Sequence, residues 1–139
     1  MIVLDTNVLS EIVRPVPAAE VLRWVAGHPS SMLYTTTITQ AEILYGLELM
    51  PKGKRRAALE FALTAMFEED FEDRILPFDS DAARAFAQVA VSRRAAGFAV
   101  AQMDAQIAAI ARSRGAKLAT RNIQDFEHCG VTLENPWDR

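Results

Sequence analysis

The sequence predicts an α/β fold in which a mostly parallel sheet of four to five strands lies between helices. Short apolar or β-branched runs alternate along the chain with longer stretches whose apolar residues recur at helical spacing, the pattern of strand–helix–strand crossovers. The first run, Ile2-Val3-Leu4, has no polar residue on either face, as a strand buried on both sides of a parallel sheet requires. The chain's 139 residues suffice for one hydrophobic core, so residues 1–139 are expected to form a single domain around one sheet.

Each element follows from local pattern. Asp5-Thr6-Asn7 ends the first strand and leads into a helix carrying Val8, Leu9, Ile12 and Val13. Arg14-Pro15-Val16-Pro17 stops that helix, because a proline ring clashes with the preceding turn. A second helix, from about Ala18, carries Val21, Leu22 and Val25 as far as Gly27-His28-Pro29. Leu33-Tyr34-Thr35-Thr36 is aromatic and β-branched, hence a strand. Thr39-Gln40-Ala41-Glu42 has the form of a capping box, so a helix bearing Ile43, Leu44, Leu47 and Met50 is expected to open there and close at Pro51-Lys52-Gly53. The spacing of Leu59, Ala62, Leu63, Met66 and Phe67 predicts one helix over about 55–71. Ile75-Leu76-Pro77-Phe78 reads as a strand that Pro77 confines to a sheet edge. Asp79 or Ser80 can cap the next helix, which turns Ala82, Ala83, Phe86, Val89 and Ala90 inward and ends near Gly97. A helix over 103–114 presents Ile107, Ile110 and Ala111 on one face, places Arg112 and Arg114 at its negative end and stops at Gly115. Residues 117–120 and 131–133 supply the last strands.

Composition narrows the function. Fifteen Lys and Arg against 18 Asp and Glu give a net charge of −3 with His neutral, so nucleic-acid contact must be local or cation-assisted. Cys129 is the sole cysteine, which excludes a disulfide framework and a multi-thiolate metal site and fits a reducing, cytoplasmic setting. Asp5 breaks the apolar start too early for an export signal, and no stretch approaches the roughly 18 apolar residues of a membrane span.

Ligands of open α/β sheets gather outside the carboxyl ends of the strands. Asp5 directly follows the first strand, Glu42 opens the helix after the second, Asp104 opens the helix before Lys117, and Asn122 and Asp125 follow Thr120. Each also has a local explanation. Asp5 and Asp104 suit the positive end of a helix, worth about 0.3–1 kcal/mol; Glu42 completes the capping box; Asn122 and Asp125 suit an Asx turn. Together they pose a different problem, since clustered carboxylates repel one another and one would protonate unless a cation sits among them. An all-oxygen set, with His28 and His128 outside it, suits Mg²⁺ or Mn²⁺ better than zinc. Such an ion binds phosphate and can make a water nucleophilic.

Four ordered blocks carry a family likeness: Val3-Leu4-Asp5-Thr6-Asn7-Val8-Leu9-Ser10-Glu11, Thr39-x-x-Glu42-Ile43-x-Tyr45-Gly46, Asp104-Ala105-x-Ile107-Ala108 and Ala119-Thr120-Arg121-Asn122-x-x-Asp125-Phe126. In order and spacing they resemble the PIN-domain ribonucleases, above all the VapC/FitB-like toxins of bacterial toxin–antitoxin pairs. The resemblance covers nearly the whole chain, including Arg14-Pro15, Arg74-Ile75-Leu76-Pro77-Phe78-Asp79 and Asn135-Pro136-Trp137. It implies a three-layer α/β/α arrangement, an active site of Asp5, Glu42 and Asp104, and hydrolysis of RNA that depends on Mg²⁺ or Mn²⁺. In that reaction Asp5 and Asp104 would hold the ion and Glu42 would hold it or orient its water, leaving a 5′-phosphate and a 3′-hydroxyl. Many PIN domains carry Asp where this chain has Asn122, so either Asn122 binds as a neutral carboxamide or Asp125 supplies the charge. Thr6 and Thr120 match hydroxyl positions near the metal. The resemblance further implies dimerisation and a cognate antitoxin that covers the groove, often with an Arg among the acids, and whose own domain binds operator DNA.

Lys52, Lys54, Arg55 and Arg56, with Arg121 beside the acids, are candidates for phosphate contacts. A basic run at a helix start is also the mark of a solvated face, and Arg93 and Arg94 fit a helix carboxyl end. Trp24, Trp137 and Phe86 read as packing residues, since no aromatic–basic alternation accompanies them. Two other phosphate chemistries fit poorly. A haloacid-dehalogenase-type phosphatase needs a second Asp where Asn7 stands, and a phospho-accepting receiver domain needs paired acids after the first strand and a Lys at a late strand's carboxyl end, whereas Lys117 begins its strand. The other alternative is a PIN-like RNA- or protein-binding module with weakened catalysis, which Asn122 keeps open.

Overall fold

The run Ile2-Val3-Leu4 is strand β1 (Ile2–Leu4), and its side chains are buried on alternating faces: Ile2 and Leu4 join one apolar cluster and Val3 the other. The computed structural model describes residues 1–138. On one side of β1 lie β2 (Leu33–Thr36) and then β3 (Ile75–Leu76); on the other lie β4 (Lys117–Ala119) and then β5 (Leu133–Glu134). The sheet order is therefore β3-β2-β1-β4-β5, and all four pairings are parallel. Register sets Ile2 against both Leu33 and Lys117, and Leu4 against Ala119.

Helices cover both faces. α1 (Thr6–Ile12), α2 (Ala19–Ala26), α3 (Thr37–Leu49) and α4 (Lys54–Ala65) bring Leu9, Val21, Leu47 and Leu63 against Ile2 and Leu4. α5 (Ser80–Ala95) and α6 (Gln102–Ser113) bring Val89, Ile107 and Ile110 against Val3 and Leu118. This is the three-layer α/β/α arrangement, with five strands. No helix among the described residues is long and apolar enough to cross a membrane.

Several boundaries differ from expectation for identifiable reasons. α1 begins at Thr6, two residues early, because Asp5 caps it. β3 stops at Leu76, where Pro77 offers no N–H to continue the ladder. The helix expected over 55–71 ends at Ala65 and continues as a wider turn, Met66–Asp70, in which the Phe71 N–H donates to the Met66 carbonyl at 2.9 Å. The widening keeps Met66, Phe67 and Phe71 all in the core. Asp79, not Ser80, caps α5, accepting from the Ala82 N–H at 2.9 Å. The last strand pairs through Leu133 and Glu134, while Val131 packs from the loop before it.

Arg93 departs most from its expected place. Instead of lying on the surface at the end of α5 it is 7% exposed. Its Nε donates to the Ala99 carbonyl at 3.0 Å, and its Nη1 donates to those of Gln124 and Glu127 at 3.2 and 2.8 Å. One side chain thus ties the link before α6 to the turn Ile123–Phe126, fixing the two segments that carry Asp104 and Asp125. Arg93→Met, which fills similar space without donors, leaves three carbonyls unmatched. Urea denaturation should show about 2–4 kcal/mol of stability lost with little change in m value.

Candidate active site

The acids meet because the strand ends meet. Strand order reverses direction at β1, the position in a doubly wound sheet where a crevice opens outside the carboxyl ends. Asp5 follows β1, and its N–H donates to the Ala119 carbonyl at 3.1 Å, so the ladder carries it one residue past the strand. Its Oδ1 accepts from the Val8 N–H at 3.1 Å, making it the N-cap of α1 as well as a member of the acid group. Thr120 follows β4. Its hydroxyl bonds to Asp5 and accepts from the Asn122 N–H at 3.0 Å.

Glu42 reaches the same end of the sheet from inside α3. The cap of that helix is Thr36, whose hydroxyl accepts the Thr39 N–H at 3.0 Å, so α3 starts at Thr37. This corrects the capping-box expectation: Thr39 lies within the first turn and Glu42 beyond it, with no cap to complete. Glu42 is turned instead to Thr6, whose hydroxyl donates to its Oε1 at 2.7 Å and lies 3.2 Å from Thr39 Oγ1. Asp104 stands in the first turn of α6, whose cap position, Ala101, has no polar side chain.

Electrostatics couple these groups. Asp5 is 4% exposed, and burial, aided by the charge of Asp104, pushes its pKa up from 3.8 to about 6 against the hydrogen bonds from Thr120, Val8 and Asn7. Burial also raises Asp104, reinforced by the charges of Asp125 and Glu42 and opposed by Arg93. Asp104 is thus coupled by charge to Asp5, Glu42 and Asp125. Asn122 is exposed and faces a neighbouring pocket with Arg121. Lys117 lies at the far end of β4, 3.5 Å from Glu134, so no lysine serves the acids as a receiver domain would require.

Among the described residues, no group of three or more His, Cys, Asp or Glu side chains is placed to hold a metal ion. Glu42 is held by Thr6, and Asp5 by Val8 and Thr120. The donor chemistry nonetheless fits a hard divalent cation: all oxygen, all acidic, with Asp5 and Asp104 held above their ordinary pKa first by burial and then by neighbouring carboxylates, Asp104 acting on Asp5 and Asp125 and Glu42 on Asp104.

An apolar groove of about 650 Å³ between α1, α3 and α4 ends at Thr6 and Glu42, and Arg55 lines it. Arg56 does not join a basic patch. Its guanidinium lies 3.2 Å from Glu48 and donates to the Met50 carbonyl at 3.0 Å, holding the α3–α4 corner. Lys52 and Lys54 are exposed and outside the groove. The sequence reading missed Arg93 and also Glu11, which is 7% exposed and takes the Ala18 N–H at 2.9 Å and Arg14 at 3.2 Å.

The PIN domain family model matches residues 2–130. Plasmid stability protein StbB of Pseudomonas syringae pv. tomato is 44% identical over 138 residues, 99% of each chain. VapC ribonuclease Y4jK of Sinorhizobium fredii is 39% identical over 138 residues, again 99% of each. A solved structure of FitAB bound to an IR36 DNA fragment contains a chain 35% identical to this one, with a TM-score of 0.93 over 100% of this chain and 97% of that chain. The chain belongs to the PIN-domain family, and within it to the VapC/FitB ribonuclease toxins of toxin–antitoxin systems.

The raised pKa of Asp5 has a measurable sign. The folded chain keeps a proton on Asp5 up to about pH 6 and the unfolded chain only to about pH 4, so this group's contribution to stability declines across that window and stays low above it. Asp5→Asn retains an acceptor for the Val8 N–H. In metal-free urea denaturation it should gain on the wild type by about 3 kcal/mol between about pH 4 and pH 7.

Proposed function

We propose that the chain is a divalent-metal-dependent endoribonuclease, acting in the cytoplasm as the toxin of a toxin–antitoxin pair, with Asp5, Glu42 and Asp104 holding Mg²⁺, for which Mn²⁺ substitutes. The observation that carries the reading is the burial of Asp5 beside Asp104 at the point where the sheet order reverses. Asp125, whose charge acts on Asp104, completes the acidic set; Asn122 faces the substrate side.

A divalent cation bound there lowers the pKa of nearby water and offsets charge developing on the phosphoryl oxygens. The chain's own groups set the geometry. The Val8 N–H and the Thr120 hydroxyl leave Asp5 one orientation, and Thr6 holds Glu42 where it can take a proton from the attacking water. Arg93, three bonds deep in the adjoining segments, keeps Asp104 and Asp125 in place. Hydrolysis breaks the P–O3′ bond, so the water's oxygen goes to a 5′-phosphate and its proton leaves the other fragment with a 3′-hydroxyl.

Partners follow from the same site. The groove floored by Leu47, Leu59 and Leu63 runs to Thr6 and Glu42, which suits a segment of the cognate antitoxin. An Arg delivered along it would replace the cation electrostatically. The antitoxin carries the pair to operator DNA, and the toxin chains dimerise; the FitAB complex on DNA supports this assembly.

The purified chain should cleave single-stranded RNA with Mg²⁺ or Mn²⁺ and stop when EDTA is added. Asp5→Asn, Glu42→Gln and Asp104→Asn should each lower kcat/KM by about 100-fold or more, and Thr6→Val by about 10–100-fold. Cleavage that survives both EDTA and Asp5→Asn would reject the mechanism.

A further inference from the structure

Next to the apolar groove, with which it shares Ser10 and Arg14, lies a polar pocket of about 600 Å³ between α1, the loop after β4 and the indole of Trp137. Asn7 and Asn122 line it, each two residues past a member of the acid site, Asp5 and Thr120 respectively. Its cations are Arg14 and Arg121. Both are held in place. Arg14 Nη1 lies 3.2 Å from Glu11 Oε1, and Glu11 is itself fixed by the Ala18 N–H on its other oxygen at 2.9 Å. The guanidinium of Arg121 sits over the Trp137 ring, 5.0 Å from its centroid. The backbone N–H of Trp137 donates to Asn135 Oδ1 at 3.0 Å. The Glu11 carboxyl is held below its usual range by the Ala18 N–H, then by Arg14, and the charge of Arg121 also helps.

That arrangement answers a problem the acid site creates. A net charge of −3 and a cluster of carboxylates repel a polyanion, and a strand of RNA needs a local cationic hold close to the phosphate that reacts. A guanidinium packed over an indole loses less freedom when it binds, and its planar N–H fork matches phosphate oxygens. We propose that Arg14 and Arg121, with Trp137 as the platform for Arg121, form a subsite that binds the phosphate next to the scissile one in single-stranded RNA. This rests on the ribonuclease reading above. It also gives Trp137 a role the sequence did not suggest.

The test uses a short single-stranded RNA of mixed sequence in two arms: equilibrium binding in EDTA across a KCl series, and steady-state cleavage with Mn²⁺. Arg121→Ala and Arg14→Ala should each weaken binding about tenfold and reduce the slope of log K against log salt by about 0.7. In the cleavage arm KM should rise about tenfold while kcat stays within about twofold. Arg121→Lys should restore the salt slope, and Arg94→Ala, an equal charge loss outside the pocket, should change neither arm. Equal slopes for Arg121→Ala, Arg14→Ala and Arg94→Ala would overturn the subsite, as would a fall in kcat at unchanged KM. If the wild type cleaves nothing, the ribonuclease reading fails by itself, and the binding arm still decides the subsite.

Discussion

A carboxylate buried at the end of the central strand governs this structure. Asp5 leaves water because the sheet ladder extends one residue beyond β1 and because its own Oδ1 caps α1, so the fold cannot release it without losing a backbone bond and a helix cap. Placing an ionised group there costs about 3 kcal/mol at neutral pH, a large part of the stability of a domain this size. That figure is a net one: burial and the charge of Asp104 raise it, and hydrogen bonds from Thr120, Val8 and Asn7 have already reduced it. A fold that keeps such a group in the face of the penalty has a use for negative oxygen at that point, and a divalent cation is the partner that turns repulsion into attraction.

Neutral hydroxyls and one cation organise the acids without neutralising them. Thr36 fixes where α3 begins, and Thr6 reaches across from α1 to hold Glu42, so two helices on the same face of the sheet share one hydrogen-bonded corner. Arg93 works from the opposite layer, satisfying backbone carbonyls before Asp104 and on both sides of Asp125 while lowering the penalty on Asp104. Cationic charge meant for a polyanion is kept apart, in the pocket where Glu11 pairs with Arg14 and Arg121 lies over Trp137. Separating the two signs lets the molecule be acidic overall and still hold a phosphate chain at one edge.

Much of this was legible in the sequence because it depends on local order. A short run with no polar residue marked β1, and acids placed just after strand-like runs marked the site, since chain order alone sets both. Glu42 was legible as a site residue but not in its local setting: Thr35-Thr36-Thr37 and Thr39 offer several hydroxyls that could cap a helix, and the choice is made by tertiary contact. The Thr35 hydroxyl donates to the Leu4 carbonyl at 3.1 Å, which holds that threonine in the sheet and leaves Thr36 to cap. Arg93 was illegible because its partners lie 6, 31 and 34 residues away, while its neighbours in sequence look like an ordinary helix end. Glu11 and Trp137 counted toward the family likeness, but their structural places were not legible, since these come from α1 meeting residues near the end of the chain.

The central claim is that Asp5 is electrostatically unbalanced until a divalent cation joins it. Carboxyl ¹³C NMR titration of the folded chain, with and without saturating Mg²⁺, measures this directly. The account predicts an Asp5 pKa of about 6 without the ion and a clear fall when it is added. An ordinary value that Mg²⁺ leaves unchanged would contradict it.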